Sequence, residues 1–348
     1  MKNTLLFITL TCLFACAKQT NNDQRIHIQA KEHIPGTVID SITGETFFDI
    51  RVVDSLLVLL DHQNTSFFSV YSKRDHHKIK DFGEKGSGPF DYITPLFVYR
   101  EIPDDTLSIL EVMKYKIHNY GLDQLGNIRA TPSVTELSKE VFGYLKPHMC
   151  KDYIFFTKHD AADGIIMRYD LNDKSMLWIK APEEVTGVND TDEYKNEKLR
   201  CSFSVDCEND VIIVGLMHMN KILFFNTNGE FQKAYTLGND APVPTVNSDG
   251  MLEDKTNVYA TNIFSSKHYF YVLYHEDTLD KYESPAKADK KTKALIFEKN
   301  GTFVKTILFD RYIFDGCIDP EDNLFYGIHL NNDGDSYVVS YKLNEDQF

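Results

Sequence analysis

Positive charge is scarce in this chain. Its 348 residues carry 37 Lys and Arg against 52 Asp and Glu, a formal net charge of −15. A polyanion would be repelled, and no basic stripe offsets the deficit locally, which excludes nucleic acid as a partner. After the first residues no segment reaches the ~20 apolar residues of a membrane-spanning helix. The motifs of several chemistries are missing as well. There is no CxxC, no HExxH, no His-x-His pair, no compact carboxylate trio and no Gly-x-Ser-x-Gly. No metal centre, cofactor or catalytic nucleophile is therefore expected.

Apolar and aromatic residues, by contrast, are plentiful: 42% hydrophobic and 13% aromatic, with 24 Phe and 19 Tyr. That suits strands, because aromatic and β-branched side chains pack well on a pleated surface. A recurring pattern confirms the class. Its clearest copies are KILFFNTNGEFQKAYTLG (Lys221 to Gly238) and ALIFEKNGTFVKTILFD (Ala294 to Asp310), two apolar strands about an Asn-Gly turn. Asn-Gly predicts a tight hairpin with positive φ at both central residues. Weaker copies run over Phe67 to Gly83, Lys116 to Ala130 and Ile165 to Lys180, and a sixth begins at Ser336 and runs out of chain after one strand.

Another strand pair precedes each copy. The first members are FFDIRVV, LFVYREI, YLKPHMC, RCSFSVDC, YATNIFSS and YIFDGCI. The second members are DSLLVLLD, DDTLSILEVM, DYIFFT, DVIIVGLM, HYFYVLY and DNLFYGI. Four strands repeated six times predict an all-β fold, a six-bladed β-propeller of four-stranded antiparallel blades. Each sheet is apolar on both faces and buries them only by stacking around a ring. The incomplete sixth copy predicts that the ring is closed by an N-terminal strand, for which the alternating segment RIHIQAK (Arg25 to Lys31) is the candidate. The propeller would span residues 25–348.

The start of the chain reads as a signal. Residues 1–15 contain a charged opening and the apolar run Leu5 to Leu13, and Leu13-Phe14-Ala15-Cys16 resembles a bacterial lipobox. The resemblance implies cleavage before Cys16, lipidation of that residue and a flexible polar tether over 16–24. Membrane attachment through this lipid anchor is expected, because each buried methylene contributes about 0.8 kcal/mol. Of the remaining cysteines, Cys150, Cys201, Cys207 and Cys317 fit no zinc spacing and read as buried free thiols. A bridge from Cys150 to Cys201 or Cys207 is the alternative, since these lie on neighbouring strands.

The stretch DFGEKGSGPFDYITP (Asp81 to Pro95) is rich in glycine but lacks the Gly-Lys-Ser/Thr of a phosphate loop. It reads as the corner between the outermost strand of the first blade and the innermost strand of the second. Phe82, Gly83, Gly86, Gly88, Pro89 and Pro95 resemble the signature of TolB-like or NHL-like six-bladed propeller lipoproteins of Bacteroidetes, with Phe90-Asp91-Tyr92 in place of Gly-Glu-Phe. The resemblance implies the fold and a location in the cell envelope, on the outer membrane, and carries no catalytic residue.

One constellation recurs with the repeat. His62, His159, His218, His275 and His329 each lie just past the second strand of a blade, and Met113 holds the corresponding place in the second. Imidazoles there predict a ligand-binding face shared with the crossovers. Asn331 to Asp335 lacks the closing Glu of a calcium loop and reads as a polar turn. The functional expectation is a binding or scaffold module for an envelope protein, peptide or glycan. The alternatives are a lactonase- or lyase-type enzyme with an axial divalent metal and a purely structural protein.

Overall fold

The computed structural model describes residues 23–100, 106–122, 127–128, 131–141, 143, 145–158, 163–283, 290–319, 324–331 and 334–343. The signal segment, Cys16 with most of the expected tether, and His159 lie outside these residues.

Six sheets follow one another along the chain. The first blade is Asp49–Val53, Leu56–Leu60, Ser66–Ser72 and Lys78–Glu84. The second is Pro95–Phe97, Thr106–Glu111, Lys116–Gly121 and Ser133–Glu136. The third is Leu145–Cys150, Tyr153–Thr157, Ile166–Asp170 and Met176–Ile179. The fourth is Cys201–Asp206, Val211–Leu216, Lys221–Phe225 and Phe231–Leu237. The fifth is Asn257–Ser265, Tyr269–Thr278, Lys293–Glu298 and Phe303–Phe309, and the sixth starts with Ile313–Ile318, Leu324–Leu330 and Ser336–Lys342. Within each blade successive strands pair antiparallel, as the repeat predicts. The two Asn-Gly turns differ from expectation in one respect. Only Gly229 (φ 87°) and Gly301 (φ 78°) take the left-handed conformation, and each turn carries a register shift beside it. The hairpin is therefore a turn closed by a glycine bulge rather than a two-residue mirror-image turn.

The ring is visible in the core. Among the described residues there are six apolar clusters, and each is the seam between two adjacent blades. Phe155, Phe203 and Val214 join the third and fourth blades. Ile50, Leu57, Ile328 and Val338 join the sixth to the first, which closes the circle. Burying both faces of every sheet in this way is the dominant favourable term for such a fold.

The closing strand is not the one expected. Thr37–Glu45 supplies the fourth strand of the sixth blade, antiparallel to Ser336–Lys342. Of the segment first assigned that role, Arg25 and Ile26 belong to Asp23–Ile26, which lies parallel to Phe231–Leu237 on the fourth blade. Glu32–Ile34 then lies parallel to Phe303–Phe309 on the fifth. The N-terminal stretch is thus a belt over three blades. The reason is connectivity: the closing strand must be the one from which the chain drops directly into Asp49–Val53. Arg25 to Lys31 alternates because Ile26 and Ile28 pack onto the seam of the fourth and fifth blades.

The glycine-rich corner lies where expected, between the outer strand Lys78–Glu84 and the inner strand Pro95–Phe97. Gly83 has φ +80°, and a Cβ there would come within 2.5 Å of the Phe68 ring. The Gly88 N–H donates to Asp91 at 2.8 Å, and Lys114 Nζ donates to the carbonyls of Gly88 and Asp91, both at 2.6 Å. These bonds tie the loop to itself and to the second blade.

Candidate functional site

The inner strands of the six blades run in the same direction and line an axis. At one end of it are the turns from inner strand to second strand. At the other are the crossovers between blades, together with the turns from second to third strand. A cavity of about 410 Å³ opens at the first end. Every blade contributes to its wall: Arg51 from the first, Tyr99 from the second, His148 from the third, Ser204 from the fourth, Phe264 from the fifth and Cys317 from the sixth.

An irregularity in the second blade places Tyr99. Tyr99–Arg100 leaves its own sheet and pairs parallel with the inner strand of the third, so that Tyr99 stands opposite His148. The two rings stack at 4.7 Å and 10°, and His148 in turn contacts Phe203 at 4.5 Å. The guanidinium of Arg51 lies over the Tyr99 ring, 3.1 Å from its centroid. The Tyr99 hydroxyl donates to Asp49 at 2.9 Å.

Deeper along the axis is a group of half-buried charges. Lys146 Nζ donates to Ser202 Oγ (3.0 Å), to the Thr261 carbonyl (3.3 Å) and to Asn262 Oδ1. Asp49 accepts from the Ile50 N–H at 2.8 Å and Asp315 from the Gly316 N–H at 2.7 Å. Burial raises the Asp49 carboxyl and, with the repulsion of Asp49 added, raises Asp315 well above the usual range. Burial lowers Lys146, and it lowers His148 well below its ordinary value, helped by the nearby Arg51 and Lys146. His148 is therefore a neutral stacking ring. Cys201 is pushed up to about 12 by burial and is an inert thiol.

These side chains do not make a metal centre. Among the described residues no three His, Cys, Asp or Glu side chains gather to hold an ion. The two carboxylates here, Asp49 and Asp315, have the Lys146 ammonium and the Arg51 guanidinium as neighbours.

Of the sequence-predicted histidines, the four described ones, His62, His218, His275 and His329, fall at the crossover end and do not share a site; none of these four lines the axial cavity. His218 is buried, and its Nδ1–H points at the Asn257 carbonyl (3.4 Å) at the start of the fifth blade. His275 packs on Tyr312 (5.2 Å) at the start of the sixth, and His329 donates to the Tyr312 carbonyl at 2.7 Å. His62 is half-buried between Phe48 and Phe67. Burial lowers the pKa of His62 and His329 and brings His218 down to about 4. These rings pack local seams rather than face a common ligand.

Two further points depart from the sequence reading. Cys150 and Cys207 are joined in a disulfide with Cα atoms 5.7 Å apart, while Cys201 and Cys317 are free and buried. Cys150 ends the third inner strand and Cys207 follows the fourth, so parallel inner strands bring them together at the cavity end. Their neighbours Met149, Glu208 and Asn209 line the cavity. The axial residues themselves were missed. Their signal was present: polar residues in inner strands whose surroundings are otherwise apolar, as in DIR (Asp49 to Arg51) and KPH (Lys146 to His148).

A second, more open hollow of about 600 Å³ lies beside the N-terminal belt, lined by His27, Asp240, Tyr259, Tyr274 and Glu276 among others. Four of its polar groups are paired with one another: Asn257 donates to the Tyr259 hydroxyl at 3.0 Å, and the Tyr274 hydroxyl donates to Glu276 at 3.3 Å.

The TolB-like 6-blade propeller-like family matches over residues 29–321. The chain belongs to that family. Among solved structures it is similar to a member of the DUF4221 family from Bacteroides vulgatus, at 9% identity over 88% of this chain and 94% of that one, with a TM-score of 0.53. It is also similar to a putative exported protein from Bacteroides fragilis, at 13% identity over 92% of this chain and all of the other, with a TM-score of 0.52. At such identities the likeness concerns the fold. No curated protein matches the chain.

Proposed function

We propose that this TolB-like propeller is an exported, lipid-anchored binding module of the cell envelope that receives a protein, peptide or glycan at the open end of its axial cavity. The observation that carries the reading is the cavity, about 410 Å³ with walls from all six blades. That volume is in the range of small-ligand and side-chain sites, and its mixed apolar and polar lining is typical of them. The axial donor set favours this reading over a lactonase- or lyase-type enzyme, because Lys146 and Arg51 occupy the positive places beside Asp49 and Asp315.

Anchoring through Cys16 on the outer membrane is supported by the signal-like start of the chain, and export by the likeness to a putative exported protein. Asp23–Ile26 runs parallel to Phe231–Leu237, so Asp23 itself lies toward the end where the cavity opens. A tether from Cys16 spans at most about 25 Å even when fully extended. The open end would therefore be held near the membrane.

The test is capture from the native envelope with the full chain carrying a bulky maleimide on Lys267→Cys, an exposed position on the cavity rim. The same label on Leu177→Cys, on the outer strand of the third blade, is the control. Capture lost with the rim label and kept with the outer label is the expected result. Equal capture by both would refute the cavity as the binding end.

A further inference from the structure

We infer that the axial cavity selects its ligand by a single carboxylate, received by the guanidinium of Arg51. The inference rests on the binding-module reading and names the chemistry of that site.

Arg51 lines the cavity and is only half-buried, and its side chain makes no hydrogen bond to any described residue; Nε and Nη2 are sealed from solvent without an acceptor, which leaves Nη1 as the nitrogen open to the cavity. The other charges around it are engaged. Lys146 has three acceptors. Asp49 is held by the Tyr99 hydroxyl and the Ile50 N–H. Asp206, at the mouth, is paired with Lys299 at 3.2 Å and accepts from the Asn209 side chain at 3.0 Å. A buried polar group without a partner in a folded protein calls for an explanation, and a missing ligand or ion is one of the standard ones. Arginine cannot escape by losing its proton.

The geometry narrows the class. The guanidinium is held flat against Tyr99, which is itself stacked on His148, so its plane is fixed before any ligand arrives. A planar fork of donors matches a carboxylate. Asp54, Asp206 and Glu208 also line the cavity. Arg100 and Lys267 line it too, so the lining has no large positive excess of the kind that would favour a doubly charged phosphate over a singly charged carboxylate. The carboxylate would come from a peptide terminus, an acidic side chain or a uronic acid.

The experiment follows the Arg51 side-chain Nε–H by NMR in the full-length protein in detergent, assigned by its loss in Arg51→Lys. Acetate, the smallest carboxylate, is titrated against acetamide, its uncharged counterpart. N-acetylglycylglycine against its amide, glucuronate against glucose, and inorganic phosphate form the further arms. Acetate is expected to shift the Arg51 signal and acetamide to leave it in place. The larger carboxylates should bind at least tenfold more tightly than their uncharged partners, and Arg51→Lys should lose that preference with its thermal unfolding unchanged. Tighter binding of N-acetylglycylglycine than of glucuronate points to a peptide, the reverse to a uronic acid. Equal effects of acetate and acetamide, or tighter binding of phosphate, overturn the inference. The wild-type comparison needs no variant to fold. If the uncharged compounds occupy the cavity as well as the charged ones, carboxylate selection fails and the binding module stands. Loss of the module itself is read separately, from capture with the rim label.

Discussion

At the crossover between the first and second blades Glu111 is completely buried, and its carboxylate accepts from the backbone N–H of Ile93 (2.7 Å), Thr94 (3.2 Å) and Met113 (3.1 Å). Beside it the hydroxyls of Tyr92 and Tyr120 are hydrogen-bonded at 2.8 Å, and His118 Nδ1 meets Tyr92 at 2.9 Å. At the cavity end Arg51 carries a full charge and has no acceptor. The corner is thus paired at Glu111 and the cavity left unpaired at Arg51, although Nε2 of His118 in the corner and Nε2 of His218 are buried without a hydrogen-bond partner as well. A charge with its hydrogen bonds made is architecture, and one that lacks them beside a cavity is available for binding. The glycines of the corner belong to the first kind.

Four variants sharpen that contrast, from the largest expected effect downward. Replacing both Cys150 and Cys207 by Ser removes a crosslink between residues 57 apart. The loss should be about 4 kcal/mol by the loop-closure argument. Urea unfolding of the wild type with reductant should match the double variant without it; a wild type indifferent to reductant would contradict the bridge. Glu111→Ala leaves three backbone donors unsatisfied and should cost about 3 kcal/mol. A loss below about 1 kcal/mol would mean that water replaces the carboxylate.

The third variant concerns pH. His218 is held near 4 in the folded chain, against 6.5 when exposed. Between those values the unfolded chain binds a proton that the folded chain refuses. The contribution is therefore complete above pH 6.5 and is lost as the pH falls toward 4. It amounts to about 3 kcal/mol. Stability against pH should be flatter in His218→Gln by that amount; parallel curves would show that His218 is not buried neutral. The smallest effect is expected for Arg51→Met, which removes a half-buried charge that has no hydrogen-bond acceptor but stands beside Asp49. Its stability should fall by no more than about 1 kcal/mol, because Asp49 keeps the Tyr99 hydroxyl and the Ile50 N–H. A loss comparable to that of Glu111→Ala would give Arg51 a structural role and dissolve the contrast between the two ends.

Much of the fold was legible because strand signals are local. The apolar segments from Asp54 to Ile328 announce themselves by composition and by the turns beside them, and the glycine corner needs only its own conformation. What failed depends on closure. Thr37–Glu45 and Arg25 to Lys31 both read as strands, and only connectivity into Asp49–Val53 decides which one completes the ring. Cys150 finds Cys207 rather than Cys201 because the inner strands run parallel, a relation between blades. The stack of Arg51, Tyr99 and His148 draws on three blades, and Tyr99 reaches it by leaving its own sheet. The histidines misled for the same reason. A position repeated from blade to blade describes a ring of separate seams, whereas a site on the axis needs one residue from each of several blades.

The most direct measurement places a photo-crosslinking residue at Asn209, on the cavity rim, and in a second protein at Phe90, exposed at the crossover end, and irradiates both in the native envelope. The account predicts a discrete adduct from position 209, reduced by Arg51→Lys, and none from position 90. An adduct formed only from position 90 would contradict it.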